Sequence, residues 1–504
     1  MQFTRSVAAL AAVASSLAAL ASSYTNPIVI KNYKMFDSNT GEYFTVKGVD
    51  YYPRPNTGDL DINNYDFFTD TNSSIWTEDI AYLSEAGANA VRLYAVDPSQ
   101  SHDDFMCELR KYGMYALVDL GATCENCSIT IDKYPDCYPS ALKTRGQQII
   151  TEFAKYDNVL GFSAGNEVNN LVDDAVTNAP CQKKFLRDMR AFIGGCASTM
   201  RSIPVGVVMA DPDTTNNNRE LNALYYNCRT DSTDLYENAE WYGLNTYQYC
   251  DGSVTELEDA DGFYQLYTDF ASYNMSIPVM LTEFGCVNPS FPTIGDYEAQ
   301  RTWLQAGWLH ESLFRKVFSG GFVFEYSTEL ANSEGSGSTT SNYPFTDYGA
   351  QNYGLGYYSP EDCDHLTVTC SYNPMPNFYN LSTQYNDTDT SDEDSYSDFS
   401  ADSTRTSPPE CPDGFPALAD ITWEADDLDD ASCPSSVLNY ECSGQTASDW
   451  TSYEGTTTSA ASASAESWSG STASSSSNAG VSVVSSVASV ASLCVAGLVA
   501  VVNM

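Results

Sequence analysis

The chain has 504 residues and a formal net charge of −44, with 23 Lys and Arg against 67 Asp and Glu. That imbalance excludes nucleic acid as a partner, because phosphate recognition needs basic side chains to release counterions. Only 18% of residues are charged, so much of the surface falls to Ser, Thr, Asn and Tyr. The 35 tyrosines supply rings with a polar tip, suited to stacking on sugar faces.

The first stretch, MQFTRSVAALAAVASSLAALASS, carries Arg5, an apolar run from Val7 and small residues at Ala19 and Ala21. It reads as a secretory signal peptide over 1–21. From there short apolar runs alternate with amphipathic stretches. Strands are predicted at 43–51, 89–97, 114–121, 158–167, 203–211, 240–249, 277–285 and 321–329. Helices are predicted at 75–87, 103–113, 141–157, 181–195, 218–227, 262–274 and 298–320. Eight strands separated by helical segments point to an α/β fold, a (β/α)8 TIM barrel over 22–330. No Gly-rich phosphate fingerprint follows the first strand to favour an open doubly wound sheet.

Beyond the barrel, 331–410 reads as a loop-rich extension with an acidic linker, DTDTSDEDSYSD. Residues 411–442 read as a small disulfide-bearing minidomain and 443–477 as a disordered stalk rich in Ser, Ala and Thr. The last segment, 478–504, has the layout of a GPI-attachment signal: small residues at Asn478-Ala479-Gly480, a spacer and an uncharged apolar tail. Asn478 is the expected attachment residue, and no charges follow the tail as they would a membrane span. Of 15 cysteines only Cys494 lies in the removable tail, which leaves an even number for disulfides in an oxidising compartment. N-glycosylation sequons stand at Asn72, Asn274, Asn380 and Asn386. The expectation is a secreted monomer held outside the cell by a lipid anchor, in the plasma membrane, the wall or both.

Two apolar runs end in a glutamate: GFSAGNEVNN with Glu167, and IPVMLTEFGC with Glu283. They close the fourth and seventh predicted strands, and barrel chemistry is done at the C-terminal strand ends. Two facing carboxyls are what glycosidic cleavage needs, one protonated to donate to the leaving oxygen and one ionised to attack, about 5–5.5 Å apart in a retaining enzyme. Glu167 is assigned as acid/base and Glu283 as nucleophile, which calls for a raised pKa on the first and an ordinary one on the second. Asn166 is placed to hold a sugar 2-hydroxyl. The three histidines, His102, His310 and His365, lack metal-site spacing, and the cluster Cys124, Cys127, Cys137 is expected in disulfides rather than on zinc. No metal and no cofactor are expected.

Together GNEVNN, LTEFGC, GVDYYP, VRLYAVDP, GLNTYQYC and GFVFEYSTE resemble the fungal Gas/Gel/Phr β-1,3-glucanosyltransferases, glycoside hydrolase family 72. The resemblance runs from about residue 26 to 380. It implies an enzyme that cuts β-1,3-glucan internally, holds the new reducing end as a covalent glycosyl-enzyme, and passes it to another glucan's non-reducing end. Donor and acceptor would both be β-1,3-glucan. By the same resemblance Tyr94, Asn166, Tyr247 and Tyr326 would hold the sugar, Asp119 would sit at the third strand's end, and Asp211 with Arg219 would line the groove. Arg92 is read as an internal cation bonded to the glutamates. Tyr52 stands where the family usually has Gln on the acceptor side. The five cysteines after the barrel imply the subfamily without the full cysteine-rich glucan-binding module. Pairings of Cys228 with Cys250, and of Cys286 with Cys363 or Cys370, are expected. The competing functional readings are a wall-bound glucan-binding protein with little turnover and a simple β-1,3-glucan hydrolase.

Overall fold

A computed structural model describes residues 25–60, 65–170, 172–330 and 341–444. The signal peptide, all but the first two residues of the stalk, and Asn478 lie outside the described residues.

The chain begins with a meander of β1 (Ile28–Lys31), β2 (Lys34–Asp37) and β3 (Tyr43–Phe44). Next come β4 (Val46–Asp50), β5 (Ala90–Leu93), β6 (Tyr115–Asp119), β7 (Val159–Asn166) and β8 (Val205–Ala210). A short hairpin of β9 (Asp213–Thr214) and β10 (Asn217–Asn218) precedes β11 (Tyr242–Asn245), β12 (Val279–Phe284) and β13 (Phe318–Val323). Strands β4 to β8 and β11 to β13 close into one parallel barrel, β13 pairing with β4. The shell is α1 (Ser73–Glu85), α2 (Asp103–Lys111), α3 (Ser140–Phe153), α4 (Ala179–Gly195), α5 (Arg219–Asn227), α6 (Asp261–Tyr273) and the short α7 (Leu304–Leu309). After the barrel come the hairpin β14 (Gly356–Ser359) and β15 (Ser371–Pro374), then α8 (Pro376–Asn386).

The barrel interior is filled by Val46, Ala90, Tyr115, Leu117, Leu160, Val208, Trp241, Met280 and Phe322, with Ile28 and Met35 of the meander plugging its foot. Alternation along the strands sets this inward face. Gly48 is needed here, since a Cβ would lie 2.2 Å from the Phe322 ring. The helices pack their apolar faces on the outer side of the strands, and α2 carries Asp103 and Asp104 in its first turn and Arg110 and Lys111 in its last, in accord with the helix dipole.

All eight predicted strands are present, but of the long helix predicted at 298–320 only the short α7 forms. Ala299 and Trp303 have φ of +52° and +57°, which a helix cannot contain. Arg301 is turned inward between them, donating to the carbonyls of Gly285, Phe324, Tyr353 and Gly354. The acidic linker is also more than a solvated run. Glu393 pairs with Lys34 and Arg315, and Phe399 packs on Phe36.

The cysteine pairings differ from those expected. Cys228 bonds Cys411, Cys250 bonds Cys286, and Cys363 bonds Cys370. Cys228 follows α5 at the foot of the shell, whereas Cys250 follows β11 at the opposite, mouth end, so those two cannot meet. The remaining bonds are Cys107–Cys442, Cys124–Cys127, Cys137–Cys181 and Cys196–Cys433. Residues 411–442 therefore have no internal disulfide and are not a self-stapled minidomain. They form a strap bonded to the barrel at Cys228, Cys196 and Cys107. Phe415 stacks on Tyr225 at 3.8 Å, Trp423 is buried, and the Lys143 ammonium donates to the carbonyls of Ala425 and Leu428. Cutting one staple with Cys433→Ser is expected to cost about 2–4 kcal/mol and to open the strap to protease; denaturant unfolding and limited proteolysis check both.

Candidate active site

Strand β7 ends in an irregularity that aims Glu167. Its register slips between Ser163 and Asn166, the Ser163 hydroxyl donates to the Gly165 carbonyl at 2.8 Å, and Gly165 takes φ of +144°. Bulges of this kind re-aim side chains beside active sites. Glu167 follows with φ of +49°, anchored by its own N–H donating to the Val208 carbonyl at 2.9 Å. Its carboxylate is half-buried and accepts from the amides of Asn245 at 2.8 Å and Asn170 at 3.1 Å.

Glu283 lies in β12 and is 7% exposed. It accepts from Arg92 Nη1 at 3.1 Å, the Tyr94 hydroxyl at 2.9 Å and the Tyr247 hydroxyl at 3.1 Å. Asn245, opposite Glu283 in the strand register, holds the other carboxyl: its amide donates to Glu167 and Asn166, and its oxygen accepts from Thr282 at 2.8 Å. Underneath, Arg92 holds Asp119 through Nε and Nη2 at 3.4 and 2.9 Å and Asn166 at 2.9 Å, with the Tyr94 ring 4.2 Å above its guanidinium. Arg92 therefore bonds one of the two glutamates rather than both.

The electrostatics differ from the expected division. Burial pushes the Glu283 carboxyl up to about 7, with Glu167's charge adding to the rise and Arg92, Tyr94 and Tyr247 pulling it back. An ordinary value was expected, but a side chain this enclosed beside a second carboxylate loses more hydration than three donors restore. Asp50 ends β4 on the same inward face, opposite Arg92 in register. It is fully buried, and neither of its oxygens accepts a hydrogen bond among the described residues. Burial, then Glu283's charge, holds its carboxyl well above the usual range against the pull of Arg92.

Of the residues named from the sequence, Tyr94 and Tyr247 bond Glu283, and Asp119 and Asn166 bond Arg92 beneath it. Asp211 and Arg219 are paired at 2.5 Å on the neighbouring strand end, with Thr246 donating to Asp211 and Arg219 also bonding Asp269. Tyr52 is buried at the inner side of the mouth: its hydroxyl donates to Glu325, and its ring meets Tyr94 edge-on at 5.3 Å. Tyr326 is a correction. It is fully buried behind the barrel, donating to Asp79 of α1 at 2.9 Å and stacked on Tyr372 at 4.1 Å. Strand β13 stops at Val323, and Phe324 is the ring that reaches the mouth, against Tyr247 and Tyr353. Sequence reasoning passed over Asn245, Thr282, Asp50, Phe324 and Glu325. The polar ends of strands predicted to be apolar, as in GLNT and MLTE, were the available signal. Among the described residues no group of His, Cys, Asp and Glu is arranged to hold a metal ion, and no helix is long and apolar enough to cross a membrane.

Two carboxyls at the fourth and seventh strand ends of a parallel eight-stranded barrel, over a buried arginine, define a (β/α)8 protein of the glycosidase class. Residues 17–344 match the sequence family described as glucanosyltransferase, glycoside hydrolase family 72, and the chain belongs to that family. It is 36% identical over 327 residues to the 1,3-beta-glucanosyltransferase GAS5 of Saccharomyces cerevisiae, covering 64% of this chain and 60% of that protein. It is 32% identical over 329 residues to the 1,3-beta-glucanosyltransferase PGA4 of Candida albicans, covering 65% and 64%. The chain therefore spans less than two thirds of the length of these curated relatives. Among solved structures, S. cerevisiae Gas2p in complex with laminaritriose and laminaritetraose is similar, with a TM-score of 0.54, 28% identity, and coverage of 73% of this chain and 69% of that one. The same protein in complex with laminaripentaose has a TM-score of 0.57 at 27% identity, covering 80% and 76%.

Proposed function

We propose that this chain is a retaining β-1,3-glucanosyltransferase, with β-1,3-glucan as both donor and acceptor. The observation that carries the reading is the contrast between the two glutamates. Glu283 is buried under three donors that favour an anion, whereas half-buried Glu167 sits at the end of β7, three strands round the barrel, and is held by Asn245 of β11. Glu167 gives its proton to the glycosidic oxygen as the Glu283 carboxylate attacks the anomeric carbon; the C–O bond breaks and the reducing-side fragment leaves. Glu167, now an anion, takes the proton from an acceptor hydroxyl, whose oxygen attacks the same carbon and releases Glu283. Arg92 and Asn166, already bonded to each other, hold the floor under the reacting sugar. Half-buried Tyr247 and Phe324 offer rings beside it.

The layout at the termini supports export and a GPI anchor at Asn478 outside the cell. Asn274 and Asn386 are exposed and are the favoured glycan sites. Asn72 and Asn380 are half-buried, with their amide nitrogens donating to the carbonyls of Asp66 and Arg301.

Incubation with a reduced β-1,3-glucan oligosaccharide tests the reaction. Products longer than the input are expected; only shorter products would mean hydrolysis, and an unchanged input would mean a binding protein. Tyr247→Phe removes one donor that favours the Glu283 anion, so its carboxyl rises. The acid limb of the kcat/KM profile is expected to move up by roughly half a pH unit, which a pH series on the same oligosaccharide measures.

A further inference from the structure

The attacking carboxylate depends on Tyr94, whose hydroxyl donates to it and whose ring lies over Arg92. Tyr94 is half-buried, at the rim where the barrel opens. Packing has to keep its ring from swinging outward. The Tyr52 ring stands against it at an interplanar angle of 88°, the edge-to-face arrangement aromatic pairs favour. Tyr52 is itself fixed at its far end, where its hydroxyl bonds Glu325, and along its side by Phe324 at 6.4 Å. Glu325 is 3% exposed and two residues beyond the last barrel strand. Its backbone is pinned on both sides: its N–H donates to the Tyr353 carbonyl and its carbonyl accepts from the Leu355 N–H, each at 2.9 Å.

We propose that Glu325 and Tyr52 are positioning residues for the proposed transfer reaction, acting in series to hold the Tyr94 hydroxyl on Glu283. A buried glutamate with one tyrosine partner needs a reason to be there, because desolvating a carboxyl is costly. Burial, then the charge of nearby Glu329, raises its pKa well above the usual range, while the Tyr52 bond and Arg301 lower it. Glu329 is in turn paired with Arg54 at 2.8 Å. The groups facing Glu283 are Arg92, Tyr94, Tyr247, Glu167 and Asp50, and of these it is Tyr94 that meets Tyr52. A change at Tyr52 therefore reaches Glu283 directly through Tyr94, the longer route running by Phe324 to Tyr247. Glu325 and Glu283 also repel each other across space, and replacing Glu325 by either Ala or Gln removes that repulsion alike. The difference between those two variants reads the Tyr52 contact alone.

The inference rests on the transfer reading, and the test separates the two. Tyr52→Phe deletes only the hydroxyl. It is expected to move the acid limb of kcat/KM up by about 0.3–0.7 pH units, in the direction of Tyr94→Phe, and to lower kcat more than it raises KM. Glu325→Ala should place the limb above that of Glu325→Gln, which keeps an acceptor for Tyr52, by an interval of the same size. The double variant Tyr52→Phe/Tyr94→Phe should lie within about 0.2 units of Tyr94→Phe alone, since both act through one contact. An unmoved limb in Tyr52→Phe, or a shift that adds in full to that of Tyr94→Phe, overturns the proposal. Should the wild type make no longer products, the transfer reading fails. The Glu283 titration can then be followed without turnover by carbon-13 NMR of carboxyl-labelled Glu, assigned against Glu283→Gln, with the same expected shifts.

Discussion

Glu283→Gln is expected to abolish transfer and, at neutral pH, to make the fold more resistant to denaturant. Loss of the attacking oxygen should lower the rate by at least about 10³-fold, and Glu167→Gln by about 10²–10⁴-fold, the span usual for a general acid–base group. The stability half follows from burial. Glu283's carboxyl stands at about 7 in the folded protein against 4.5 for a free side chain, so the folded state binds this proton more tightly than the unfolded one. Its contribution to stability is complete below about pH 4.5 and is lost as pH rises through 7. Glutamine cannot titrate and is spared that loss, which at about 1.4 kcal/mol per unit is on the order of 3 kcal/mol. Urea unfolding of both proteins between pH 4.5 and 8 is the measurement. A gap that fails to widen with pH would mean that Arg92 and the two tyrosines fully offset the burial of this charge.

Arg92→Met is expected to be the most damaging single change to the fold. Arg92 is fully buried and is the shared partner of Asp119, Glu283, Asn166 and Tyr94. Without it Asp119 and Glu283 lose their shared cation, and breaking a buried pair from one side costs about 3–5 kcal/mol. Several of these carboxyls would take up protons instead, so the penalty should shrink as pH falls. Unfolding free energies at pH 5 and pH 7 test both the size and that direction. Transfer should vanish with it, because the anion on Glu283 loses its strongest partner.

The barrel was legible because each strand is a short β-branched or apolar run between amphipathic stretches, a pattern that period and length settle together. The two glutamates were legible because charge at the end of such a run has no structural excuse. What escaped depended on long-range contacts. Nothing local in EAQRTW says that Arg301 turns inward to collect four carbonyls and that Ala299 and Trp303 adopt left-handed backbone to allow it. The resemblance implied Tyr326 as a mouth residue, and FVFEYSTE gives no local sign that the strand stops at Val323. The Tyr326 hydroxyl was instead claimed by Asp79, 247 positions earlier, together with those of Tyr51 and Tyr358. The cysteine pairings escaped for the same reason, since three of them span 183 residues or more. The raised Glu283 carboxyl could not be read either, because enclosure belongs to the folded barrel and not to LTEFG.

The position of Cys442 has a mechanical consequence. It stands two residues before the end of the described chain and is covalently joined to Cys107 in the middle of α2. A force applied to the polypeptide beyond that point is delivered to the helix directly and bypasses everything between 411 and 441. The strap bears no load, so tugging on the tail cannot peel it away from the barrel while that bond is intact.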